Sequence, residues 1–105
     1  MNNQANQSVL LITLNEHELS VSNVNVDVLN LHAEMEHAAI QLEHYLKTHV
    51  GFELIILSLG ENAHHLLEQL INVIHHNTHK TYIGVHQKGE ELGAVIDRLK
   101  SKFVI

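Results

Sequence analysis

Phe52–Leu59, FELIILSL, is an apolar run of strand length set between two stretches of helical periodicity, and that placement decides how the chain is read. On its N-terminal side Leu31, Met35, Ala38, Leu42, Tyr45, Leu46 and His49 recur at intervals of three and four, an apolar stripe that predicts a helix over Leu31–His49. Asn30 stands where an N-cap belongs, because its side-chain oxygen can accept a free backbone N–H of the first turn. Gly51 follows where a chain leaving a helix turns left-handed. On the C-terminal side Leu67, Leu70, Ile71 and Ile74 share one side while Glu68, Asn72, His75, His76 and His79 occupy the other. This predicts an amphipathic helix over Asn62–His79 with a His-rich polar face.

Further out, Ser8–Leu14 (SVLLITL) is nearly continuous in branched apolar residues, bounded by the polar Asn15–Glu18, and reads as a central strand buried on both faces. From Leu19 the pattern LSVSNVNVDV alternates, with a phase slip at Ser22–Asn23, which predicts a half-exposed, bulged hairpin strand over Leu19–Val28. Thr81–His86 (TYIGVH) is a further buried-type strand. Gly89–Lys100 follows as a short helix with Leu92, Val95, Ile96 and Leu99 inward, and Phe103–Ile105 as a last small strand. Residues 1–7 (MNNQANQ) are polar and aperiodic and read as a disordered lead. The expected fold is one α/β domain over 8–105, with a mixed, mainly parallel sheet flanked by helices in the order ββαβαβα(β).

Composition removes several function classes. The 105 residues carry 12 acidic against 6 basic side chains, a formal charge of −6, and no Lys/Arg run that could follow a phosphate backbone, so no nucleic-acid partner is expected. No apolar run reaches the ~18 residues of a membrane span, and the N-terminus lacks the pattern of a signal peptide. A cytoplasmic protein without a membrane partner is expected. Without Cys there is no disulfide, thiol nucleophile or thiolate metal site. The unusual feature is 11 His, which swing the charge from −6 with every imidazole neutral to +5 with all protonated.

The order of segments from SVLLITLNEHELS through a long helix to FELIILSLG, another helix, TYIGVH, a short helix and KFVI resembles the STAS domain of anti-sigma factor antagonists. The likeness covers most of residues 8–105 and is closest over Tyr82–Ile105. It implies a regulatory module that acts by binding protein. Those domains carry an Asp-Ser-Ser-Gly-like turn whose Ser is phosphorylated; here the strand runs into Ser58-Leu59-Gly60-Glu61-Asn62, so Ser58 is the only nearby hydroxyl. A second likeness, over about residues 8–60 and more faintly 80–97, is to the crotonase superfamily, whose units begin with a strand like VLLITLN, a helix like that around Glu34–Leu46 and a strand like LIILSLG. The Gly-rich oxyanion loops of that family have no room here, so that likeness implies a catalytically degenerate remnant.

In a parallel sheet, ligands approach the carboxyl ends of the strands. That edge gathers Asn15, Ser58, Glu61, Asn62, His86 and Gln87, the expected ligand- or partner-binding residues. Asn62 also reads as a helix cap, and Glu61 with His86 as a base and its orienter. No Ser-His-Asp spacing, phosphate-cradling loop or paired carboxylate accompanies them, so no catalytic residue is expected. His75 and His79 lie four apart on one helix face and offer two imidazoles without a third ligand, so neither a metal site nor a cofactor is expected. The Leu19–Val28 strand, guarded only by Glu18 and Asp27, presents a sheet edge suited to homodimer formation. The expected function is a non-enzymatic regulatory or protein-interaction module with a protein partner. The alternative is the crotonase-like remnant or a small-ligand-binding domain.

Overall fold

A computed structural model describes residues 9–14, 26–31, 34–59, 64–78, 80–87 and 89–103. The elements are β1 (Val9–Leu14), β2 (Asp27–Leu31), α1 (Met35–Thr48), β3 (Leu54–Ser58), α2 (His64–Asn77), β4 (Tyr82–Val85) and α3 (Leu92–Phe103). The strands form one sheet in the order β2-β1-β3-β4, and each of the three pairings is parallel. The α/β class and the order ββαβαβα agree with the sequence reading.

Every residue of β1 and β3 is buried, which is why both read as unbroken apolar runs. Period-two alternation sends Leu10, Ile12, Ile55 and Leu57 to one face, where they meet Ala38, Leu42 and Leu46 of α1 and Leu66, Leu70 and Ile74 of α2. Val9, Leu11, Leu54 and Ile56 point to the other face and meet Leu92, Val95, Ile96 and Leu99 of α3. The β2–α1–β3 and β3–α2–β4 units step the same way across the sheet, so a single crossover hand puts α1 and α2 together on one face.

Three expectations are corrected. β1 and β2 do not form a hairpin: Leu10 to Leu14 run parallel beside Asp27 to Leu31. Residues 15–26 separate the two strands, about the dozen residues a parallel crossover needs. Second, α1 begins at Met35 and not at Leu31. Leu31 ends β2, fully buried in register with Leu14, and Asn30 does not cap the helix: its carbonyl accepts the Gln41 side-chain amide at 2.9 Å. The N-cap is Glu34, whose side chain makes no capping bond and instead meets His37 Nδ1 at 3.1 Å. A leucine required by a strand happened to fall in phase with the helix stripe behind it. Third, Phe103 closes α3 and does not open a strand; its ring stacks on Tyr82 at 4.3 Å. Residues 1–8, most of the predicted Leu19–Val28 strand (19–25) and residues 104–105 lie outside the described residues. Gly51 has φ +97°, as its place beyond α1 predicts.

Two expected outcomes follow from how β4 and α3 meet. A Cβ on Gly84 would collide with the methyl groups of Leu99, so the glycine lets the helix lie close on the strand. Gly84→Ala should cost about 1–3 kcal/mol of overpacking, and denaturant unfolding should show that cost shrinking in a Leu99→Ala background. Val26 packs on the α3-side core, so Val26→Lys should lower the melting temperature whatever it does to association.

Candidate functional site

The strand order reverses between β1 and β3: the chain leaves β1 toward β2 and leaves β3 toward β4. The crevice at the carboxyl ends of these strands is the topological switch point, where parallel α/β sheets place ligands. Thr13 and Ser58 are register partners there, and His86 follows directly on β4. Alternation puts all three on the α3 face, and they are the buried polar residues among those described, at 3%, 1% and 7% exposure. They roof the α3-side core just where the turn into α3 passes over it.

Ser58 Oγ lies 2.9 Å from His86 Nδ1, and His86 Nε2 lies 2.8 Å from the Glu90 carbonyl oxygen. A carbonyl can only accept, so Nε2 carries the proton; in the neutral ring Nδ1 is then the acceptor for the Ser58 hydroxyl. The imidazole thus bridges the end of β3 to the turn before α3. That turn is tied further by Glu90 N–H to the Gln87 carbonyl at 3.2 Å and by Gln87 N–H to Glu90 Oε1 at 3.0 Å. Arg98 donates to Glu90 Oε2 at 3.1 Å. Gly89 lies in the left-handed region at φ +93°, which glycine adopts without a Cβ penalty. The Gln87 backbone N–H, then Arg98, hold the Glu90 carboxyl below the usual glutamate range. Glu91 opens α3, its carboxylate accepting Ala94 N–H at 3.0 Å.

Of the residues expected at this edge, Ser58 and His86 are brought into direct contact and Gln87 stands exposed on the adjoining turn. Asn15, Glu61 and Asn62 lie outside the described residues, and with them the expected Asn62 cap and Glu61–His86 pair. Both ring nitrogens of His86 already have partners from Ser58 and Glu90. The sequence reading missed Thr13 and Glu90. A Thr inside SVLLITL is a signal for the first; nothing in the sequence places the Glu90 carbonyl.

Six other histidines whose side chains are described are placed differently. His37, His44, His49, His65, His75 and His76 are exposed, and no group of three potential metal ligands occurs among the described residues. His79 is outside them. His49 stacks on Tyr45, ring centroids 4.0 Å apart, at the end of α1. A cavity of about 200 Å³ lies beside that stack at the opposite, amino edge of the sheet, lined by residues that include Leu46, Phe52, Asn77 and Thr81. It is smaller than the roughly 300–1,000 Å³ of ordinary small-molecule sites. Its Asn77 and Thr78 side chains already bond the Val73 and Ile74 carbonyls. No helix among the described residues is long and apolar enough to cross a membrane.

Ser58→Ala should strip the buried His86 Nδ1 of its donor and cost about 1–3 kcal/mol in chemical denaturation. The Glu90 turn has its own pH signature. A carboxyl held below its unfolded value contributes stability that is present above the ordinary glutamate range and disappears as pH falls through the depressed value. The melting-temperature gap between the native chain and Glu90→Gln should therefore be open at neutral pH and close in acid. No family model matches the chain, and neither a curated protein nor a solved structure matches it.

Proposed function

We propose that the chain is a non-enzymatic regulatory or protein-interaction module of STAS-like organisation, working in the cytoplasm and read by its partner at the carboxyl edge of the sheet. One observation carries the proposal. The hydroxyl and imidazole at the switch point are buried and bonded to one another, and the ring's other nitrogen is tied to the Glu90 carbonyl, close in sequence to exposed Gln87 and Glu91. Backbone groups already tied by such bonds lose little conformational entropy when a partner closes over them. The hydroxyl and imidazole are poorly placed as a nucleophile and base, because a substrate would first have to reach a hydroxyl on a residue that is 1% exposed. The absence of an Asp-Ser-Ser-Gly-like turn fits a module whose contact surface is constant.

A homodimer belongs to this proposal, supported by the position of β2 at one edge of the sheet with Val28 39% exposed. Val28 is the residue with which to probe that edge, since Val26 is committed to the core. Light scattering should give a dimer that Val28→Lys weakens without loss of melting temperature.

The function itself is tested on the tagged full chain. A stoichiometric protein partner should copurify and shield residues 86–91 from amide hydrogen exchange. Labelling of Ser58 by a fluorophosphonate, or hydrolysis of an activated ester abolished by Ser58→Ala, would overturn the reading in favour of an enzyme.

A further inference from the structure

The edge opposite β2 belongs to β4, and its backbone pattern can be assigned residue by residue. Tyr82 N–H bonds the Glu53 carbonyl and His86 N–H the Leu57 carbonyl, each at 2.9 Å, so the even-numbered residues face β3. The N–H and C=O groups of Ile83 and Val85 therefore point outward, where the sheet order places no further strand among the described residues. Tyr82–Val85 (YIGV) contains neither a charge nor a proline, the usual guards of a strand edge. Tyr82 and Val85, 45% and 39% exposed, project to opposite faces and offer apolar contact on both sides of an added strand.

Charge adds a direction to this edge. Five of the six basic residues fall after position 79, among only three of the twelve acidic ones. Two of the five flank the start of β4: Lys80 stands two residues before it, exposed and at φ +60°, and Lys102 places its ammonium 5.6 Å from the Phe103 ring that stacks on Tyr82. We propose that the β4 edge binds an extended peptide segment of a partner protein by strand addition, the segment carrying alternating β-branched or aromatic residues next to an acidic residue that meets Lys80 and Lys102. The four-residue strand fits a segment of similar length, with main-chain bonds to Ile83 and Val85 supplying affinity and the lysines fixing which end lies where. This proposal rests on the protein-interaction reading above but concerns a different surface from the Gln87–Glu90 turn.

The test is selection of peptides from a random display library on the full chain, followed by amide NMR with the recovered peptides. The expected result is peptides of acidic, alternating β-branched character that shift the Ile83 and Val85 amides. Lys80→Glu with Lys102→Glu should weaken them about tenfold. Val85→Pro should abolish binding while leaving the fold intact, because the N–H it removes faces outward. Failure to recover such peptides, shifts confined to other residues, or indifference to the lysine reversals would overturn the proposal. So would a dimer broken by Val85→Lys, which would assign the edge to a second copy of this chain. A copurifying partner that shields only residues 86–91 would leave the module reading standing and this one refuted, whereas fluorophosphonate labelling of Ser58 would overturn the module reading and this proposal with it.

Discussion

Everything in this structure depends on burying β1 and β3 on both faces at once. Ten of the eleven residues in these two strands are at most 3% exposed, with Leu14 at 8%. An apolar strand in the middle of a sheet needs a layer above and a layer below, and a chain of this size can supply them only by passing over the sheet between strands. Parallel pairing, helices on both faces and a polar edge at the strand ends all follow from that requirement. The two faces are unequal. α1 and α2 share one, whereas α3 is the only described helix on the other, and there a glycine in β4 brings strand and helix close together.

The lone helix on the second face explains why the polar bridge sits where it does. At the carboxyl edge the α3-side core ends, and the chain must turn sharply from β4 into a helix running back over the sheet. Thr13, Ser58 and His86 fill the layer where the apolar side chains stop. A buried imidazole is tolerable when both nitrogens are bonded, and here one nitrogen is matched to a hydroxyl and the other to a backbone carbonyl. The same bonds that satisfy the ring fasten the turn, so packing and presentation of the turn are a single arrangement. At the opposite edge, the Tyr45–His49 and Tyr82–Phe103 stacks close the ends of α1 and α3. Burial, and secondarily Asp27, raises the Tyr45 hydroxyl above its ordinary value of 10.0.

Sheet edges and charge then divide the surface into separate territories. β2 bears Asp27 and an exposed Asn30, while β4 is uncharged and bordered by lysines from the basic C-terminal part of the chain. The exposed imidazoles His37, His44, His65, His75 and His76 decorate α1 and α2 without entering the core. The described sheet thus has two chemically distinct outer strands, β2 and β4.

By itself the sequence determined the periodicities: the double-sided apolar runs of β1 and β3, the inward stripes of α2 and α3, and the chain order that makes parallel crossovers necessary. Those features are local, because side-chain spacing along a strand or helix is set by backbone geometry. It also brought Ser58, His86 and Gln87 to one edge, since in a parallel sheet every strand ends on the same side. Only the tertiary structure decided that Leu31 belongs to β2, because a single leucine satisfies a strand and a helix stripe equally until its neighbour Leu14 is in place. Only the tertiary structure paired Ser58 with His86 across 28 positions and chose the Glu90 carbonyl as the second partner. Such contacts depend on how far each strand extends and where the following turn folds back, distances that no pattern along the chain encodes.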